Sequence, residues 1–236
     1  MEHISIGANV IFYIGPVPIT NTIFSAWITM AVLVAISLLA SRRMNLVPKG
    51  LQNLVEYVVE LLLNVCESTA GRRGRTFFPV VATAFLFILL ANWIGLLPGY
   101  GDVPWLRSPD SDLNVTAAMA IVVFFLVQGW AIKVQGPLRY LKEFLVPNPL
   151  HILSELSRPI SLAFRLFGNI FAGEVVIATI TAMLPLAVPM VFFGFEIFVG
   201  VLQAIIFSML TLVFLTMATL HHGSENHPEA PEAGAH

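Results

Sequence analysis

Hydrophobic residues run along this chain in long uncharged blocks, and charged residues mark the gaps between them. Residues 22–41 form a 20-residue uncharged run that Arg42 and Arg43 stop. Residues 76–100 are uncharged for 25 positions and residues 113–132 for 20. A membrane-crossing helix needs about 20 predominantly apolar residues, so each block is long enough to span a bilayer. Residues 51–70 differ. Leu51, Leu54, Val55, Val58, Leu62 and Val65 recur at helical spacing, with Gln52, Asn53, Glu56, Glu60 and Asn64 on the other faces. That is the pattern of an amphipathic helix lying in the membrane interface. Residues 159–220 hold only three charged side chains in 62 positions, Arg165, Glu174 and Glu196. Pro185 and Pro189 interrupt this stretch, because proline lacks the helical N–H donor and clashes with the preceding turn. The pattern predicts a helical hairpin with arms at 148–182 and 189–220. At about 1.5 Å per residue each arm outreaches the ~30 Å hydrocarbon layer, so the arms must tilt or run partly along the membrane. Residues 221–236, rich in His, Glu, Pro, Ala and Gly, show no apolar periodicity and read as a disordered, solvated tail.

Composition turns these blocks into a class. Of 236 residues 57% are hydrophobic and 11% charged, with a mean hydropathy of +0.85, whereas soluble domains carry about 25% charged residues. The expected fold is one all-α integral membrane domain over residues 1–236, with about five transmembrane helices, one interfacial amphipathic helix and a long tilted C-terminal helical hairpin. Twelve basic residues against 14 acidic ones leave a net charge of -2, which argues against a nucleic-acid partner, since such binders gather a dense basic face. The single cysteine, Cys66, excludes an internal disulfide and a cysteine-based metal site. Four of the six histidines lie in the C-terminal end and form no ligand cluster, and no nucleotide, phosphate-cradling or nucleophile motif occurs, so neither metal nor cofactor is expected. The first block has its arginines after it rather than before it, as a retained signal-anchor does. Arg42, Arg43, Lys49, Arg72, Arg73, Arg75, Lys133, Arg139 and Lys142 all fall on one side if the N-terminus is outside. The positive-inside rule then gives five crossings and a cytoplasmic C-terminus. The acidic loop 101–112, with Asp102, Asp110, Asp112 and Arg107, faces out.

An arginine at bilayer depth costs about 2.5–3.5 kcal/mol on insertion scales and more than about 10 in simulations, so a function or a partner must offset Arg165. Snorkelling, or pairing with Glu155 or Glu174, is the structural reading. Arg158 lies nearer the cytoplasmic end and can snorkel, but Arg165 is far from both ends of its uncharged stretch. At about 100° per residue, Ser161 and Asn169 lie about 40° to either side of Arg165 and make one polar stripe, while Glu174 falls about 180° away. Folding the hairpin at 184–185 sets Glu174 level with Glu196 and Arg165 level with Gln203, the carboxylates about 13 Å further out. Two close carboxylates in a low-dielectric site cannot both ionise cheaply, so one is expected to hold a proton, as a relay requires. The alternative is that each is separately solvated in a wet cleft. Gln203 has two readings, a helix–helix hydrogen bond or a positioning role beside Arg165. Asn92 near the outer end of its span, and His151 and Glu155 near the cytoplasmic mouth of the first arm, join Ser161 as further candidates to line a polar path. Gly200, Ala204 and Ser208 on the second arm, and Gly168 and Ala172 on the first, recur every four residues, and packing within the chain is the default explanation.

These residues carry a resemblance. The run from Ser157 through Arg158, Pro159, Ser161, Arg165, Gly168, Asn169 and Gly173 to Glu174 resembles the most specific motif of subunit a of the bacterial-type F-type ATP synthase. The run from Glu196 through Gly200, Gln203, Ala204 and Ser208 to Thr211 resembles that family's last helix, and Ala91-Asn92-Trp93-Ile94-Gly95-Leu96-Leu97-Pro98-Gly99 fits as well. The resemblance implies a non-catalytic stator subunit of the membrane sector, multi-pass in the bacterial plasma membrane, beside a rotating ring of c subunits and the peripheral-stalk b subunits. It implies that Arg165 faces the ring carboxylate between two aqueous half-channels, that Glu174 and Glu196 serve the outer one, and that Asn169 and Gln203 are polar positions close to the arginine. Some members have histidine at the position of Glu196. From another class, a self-contained ion-coupled secondary transporter would show inverted internal repeats or broken helices in both halves, and the intramembrane charge here is confined to the C-terminal hairpin. A passive membrane anchor would leave that charge unexplained.

Overall fold

The computed structural model describes residues 9–42, 45, 47–97, 106–137, 149–183 and 188–220. Among the described residues six helices follow one another: α1 (Asn21–Ser41), α2 (Leu51–Ala70), α3 (Gly74–Gly95), α4 (Leu113–Gln135), α5 (Pro149–Met183) and α6 (Val188–Leu220). Among the described residues five stretches are long and apolar enough to cross a membrane, with α2 and α3 forming one of them. The chain is an all-α membrane protein but for one addition. A two-stranded antiparallel hairpin, β1 (Val10–Ile14) and β2 (Val17–Thr20), precedes α1. It escaped the sequence pattern because its length is too short to set up an alternation. The expected hairpin turn at 184–187, the side chain of His151 and the tail at 221–236 lie outside the described residues.

Helix ends follow local chemistry. The Thr20 hydroxyl caps α1 by accepting from the Ile23 amide at 3.4 Å, and the Asp112 carboxylate caps α4 by accepting from the Asn114 amide at 2.9 Å. The block at 76–100 is helical only to Gly95, and Leu96 and Leu97 peel away through turn bonds to Trp93 and Ile94. Pro98 explains the stop, since the residue before a proline is pushed out of helical geometry. Between α2 and α3 the chain reverses through Gly71, at φ +57°, and a single 3-10 turn (Gly71–Arg73). Gly74 then passes so close to the Cys66 carbonyl that any side chain there would overlap it.

Helix α1 turns small or polar residues inward and apolar ones outward. On α1 the buried positions are Asn21, Thr22, Ser25, Ala26, Thr29 and Ala40, while Trp27, Met30, Val34 and Leu38 are exposed. Lipid tails are as apolar as leucine, so close packing and hydrogen bonds, rather than expulsion from water, hold such helices together. Phe77, Val81 and Ile88 of α3 form the centre of the core, with Leu162 and Leu166 of α5 and Phe207, Leu212 and Leu215 of α6. At one end of the bundle Arg73 donates to the Thr219 carbonyl at 2.7 Å, setting a cation on the C-terminal carbonyls of α6. At the other end, a second 3-10 turn (Pro109–Ser111) packs against α1, α3, α4 and α5. That turn brings the site together.

Candidate functional site

Arg165 is exposed on α5 and has no hydrogen-bond or ion-pair partner among the described residues. Ser161, Gly168 and Ala172 are exposed on the same stripe. This corrects the expectation that the small residues of the first arm pack within the chain: a Cβ at Gly168 would meet nothing within 4 Å. On the second arm the expectation holds. Ala204 and Ser208 are buried, and Gly200 touches Asn92 of α3, whose side-chain amide donates to the Gly200 carbonyl at 3.3 Å. Asn169 and Gln203, one on each arm, each keep a buried side-chain amide nitrogen without a hydrogen-bond partner among the described residues.

Further along the arms lies the carboxylate layer. Glu196 is buried and presses its carboxyl against the backbone of Gly173, where a Cβ would overlap the carboxyl oxygens. One of those oxygens, Oε1, has no hydrogen-bond partner among the described residues. Glu174 is next in the chain, so both carboxyls stand at one level of the hairpin. The Arg107 guanidinium reaches Glu174 Oε2 at 3.2 Å, and the Arg107 amide donates to the Ser25 hydroxyl at 3.2 Å. Sequence reasoning did not foresee this pairing or the niche at Gly173. One signal was present: Arg107 is the sole cation of the loop at 101–112.

The second half of the loop folds against the helices instead of standing clear of them. Asp110 and Asp112 are buried. Asp112 caps α4 and accepts from the Thr22 hydroxyl of α1 at 2.8 Å. Neither carboxyl oxygen of Asp110 has a partner among the described residues, and burial pushes this carboxyl up to about 8.

A second polar group sits toward the opposite end. Glu155 takes an ion pair from Arg158 at 2.6 Å and a hydrogen bond from Gln128 of α4 at 3.2 Å. The Arg158 guanidinium also lies 5.1 Å from the centre of the Phe214 ring. Arg158, not Arg165, is therefore the cation that Glu155 neutralises. Glu155, Arg158 and Phe214 border a small recess lined also by Val123, Pro159 and Leu162. Among the described residues no group of His, Cys, Asp and Glu is arranged to hold a metal ion.

Residues 23–216 match the family described as ATP synthase A chain. The chain is 36% identical over 217 residues to ATP synthase subunit a of Moorella thermoacetica, covering 90% of this chain and 96% of that protein. It is also 36% identical over 222 residues to ATP synthase subunit a 2 of Bradyrhizobium sp., covering 92% and 97%. Against ATP synthase subunit a 1 of Syntrophotalea carbinolica the identity is 37% over 201 residues, or 82% of this chain and 83% of that one. An exposed intramembrane arginine, two carboxyls at one level and a match running almost end to end have one reading: the chain belongs to the ATP synthase A chain family.

Proposed function

We propose that this chain is the proton-translocating stator of an F-type ATP synthase membrane sector, with a c-subunit ring as its moving partner and b subunits as its stalk partners. The observation that carries the reading is Arg165, a permanent cation exposed at mid-helix on a stripe of small residues. Burying a charge in lipid is costly, so the surface around it belongs against a partner bearing the opposite charge. Small residues at 161, 168 and 172 let a second helix approach the guanidinium closely. A fixed cation there attracts a deprotonated ring carboxylate and favours release of its proton. It also repels a proton that would cross directly between the two half-channels. Arginine suits the task because it stays charged when desolvated, whereas lysine loses its proton readily. The outer half-channel runs past Glu174 and Glu196, and Asn169 and Gln203 complete the polar surroundings of Arg165. Asn92 joins the outer path, while Ser161 and the Glu155 group border the inner one. The N-terminus is outside and the C-terminus cytoplasmic.

Replacing Arg165 with Ala is expected to reduce proton-coupled ATP synthesis to background in membranes that retain the assembled complex. Normal ATP-driven proton pumping by inverted vesicles of that variant would overturn the assignment.

A further inference from the structure

The β-hairpin ahead of α1 has no part in the function proposed above. β1 and β2 pair with each other, and neither strand has a further neighbour among the described residues. A lone two-stranded hairpin is marginal at best in water, so one that forms needs a surface to lie on. Val10, Ile11, Phe12 and Tyr13 follow one another along β1, and all four are exposed. Residues 4–41 hold no Asp, Glu, Lys, Arg or His, so the hairpin is as free of charge as the helix after it. Strand edges that face water are commonly guarded by charged side chains, and this one has none.

Its place is set by α1. The Asn21 amide at the start of that helix donates to the Asn9 carbonyl at 3.0 Å, and the Thr20 and Thr22 hydroxyls are hydrogen-bonded at 2.8 Å. Both ends of the hairpin therefore return to the point where a helix long and apolar enough to cross the membrane begins. Its depth follows from its backbone. The outer edges of a two-stranded sheet carry N–H and C=O groups that hydrocarbon cannot satisfy, whereas the headgroup layer offers both water and lipid oxygens. Tyrosine is enriched at that layer, where its ring meets the acyl boundary and its hydroxyl stays wet. The five residues of β1 reach about 17 Å at about 3.3 Å per residue, so the hairpin stays in the headgroup layer only if it lies along the membrane.

We infer that the hairpin at residues 10–20 is a membrane-interface anchor, lying among lipid headgroups at the face where α1 begins, with the side chains of β1 against lipid. Such an anchor fixes the height of α1, whose Thr22 and Ser25 bond to Asp112 and to Arg107. The inference requires only that α1 spans the membrane, and it stands or falls separately from proton conduction.

The test places a nitroxide spin label on the full chain in phosphatidylcholine vesicles. Cys66, which is buried, is replaced by Ala, and Tyr13→Cys supplies the labelling site, since that side chain is 68% exposed. Oxygen, which concentrates in lipid, and a water-soluble nickel chelate compete for collisions with the label. Oxygen collisions are expected to exceed chelate collisions several-fold, as they should at Val34→Cys on the exposed face of α1, the lipid reference. A predominance of chelate collisions would put the hairpin in water and overturn the inference. Few collisions with either reagent would mean that protein covers it, such as a second copy adding a strand to its edge, and would overturn the inference equally. If Tyr13→Cys fails to insert, Phe12→Cys and Val10→Cys are read in the same way.

Discussion

A methyl group at Gly173 has no room. Its Cβ would overlap the carboxyl of Glu196, which lies on the helix backbone at that point. Glycine is required here by close approach, since the position is inside a regular helix with no unusual dihedral angle. Gly173→Ala must push Glu196 away or separate the arms, and is expected to lower proton conduction several-fold in assembled complex. Gly168→Ala offers the control. Its Cβ meets nothing within the chain, and alanine is the better helix former by about 1 kcal/mol. Thermal unfolding of the purified chain should leave Gly168→Ala at least as stable as wild type, and a drop would contradict the open space at that position. The isolation of Arg165, Glu174 and Glu196 in a neutral hairpin was legible in the sequence, because charge in an apolar run is rare. The glycine niche was not, since it depends on which helix lands on which.

Among the elements, the helices were legible and the loop between α3 and α4 was not. Uncharged blocks of about 20 residues fix where a span can be. A segment holding three aspartates and an arginine looks solvated, yet in its second half Arg107 reaches Ser25 of α1 and Glu174 of α5, and Asp112 reaches Thr22 of α1. Asp112 shows how much depends on this. It caps α4 and accepts the Thr22 hydroxyl of α1 in a buried bond. Losing a cap costs about 0.5–2 kcal/mol, and stranding a buried hydroxyl about 1–3 kcal/mol more. Asp112→Ala is therefore expected to lower the stability of the detergent-solubilised chain by a few kcal/mol in denaturant titration. Asp112→Asn keeps one of the two accepting oxygens, enough for the cap on the Asn114 amide or the bond from Thr22, and should cost less than Asp112→Ala. Equal losses in the two variants would mean that the single remaining acceptor does not hold the loop.

At the scale of the whole molecule the chain divides into a packed side and an open side. The core draws on α3, α4 and α6 and on one edge of α5, whereas the rest of α5 is open and presents Arg165. In the proposed function, the outer route to Arg165 passes Glu174 and Glu196, with Arg107 paired to Glu174. Glu174 and Glu196 thus occupy one layer of one route, and proximity makes their contributions interdependent. If both pass protons along that route, Glu174→Gln and Glu196→Gln each remove an exchangeable site while leaving shape and hydrogen-bonding capacity nearly intact. Each single variant should slow proton flux in reconstituted complex, and the double variant should be slowest, since no carboxyl then remains in the layer. Were the two separately solvated in a wet cleft, water would continue to carry protons past neutral glutamines and the double variant would conduct at the wild-type rate. That outcome would reject the relay and leave the layer with no task beyond keeping the cleft hydrated.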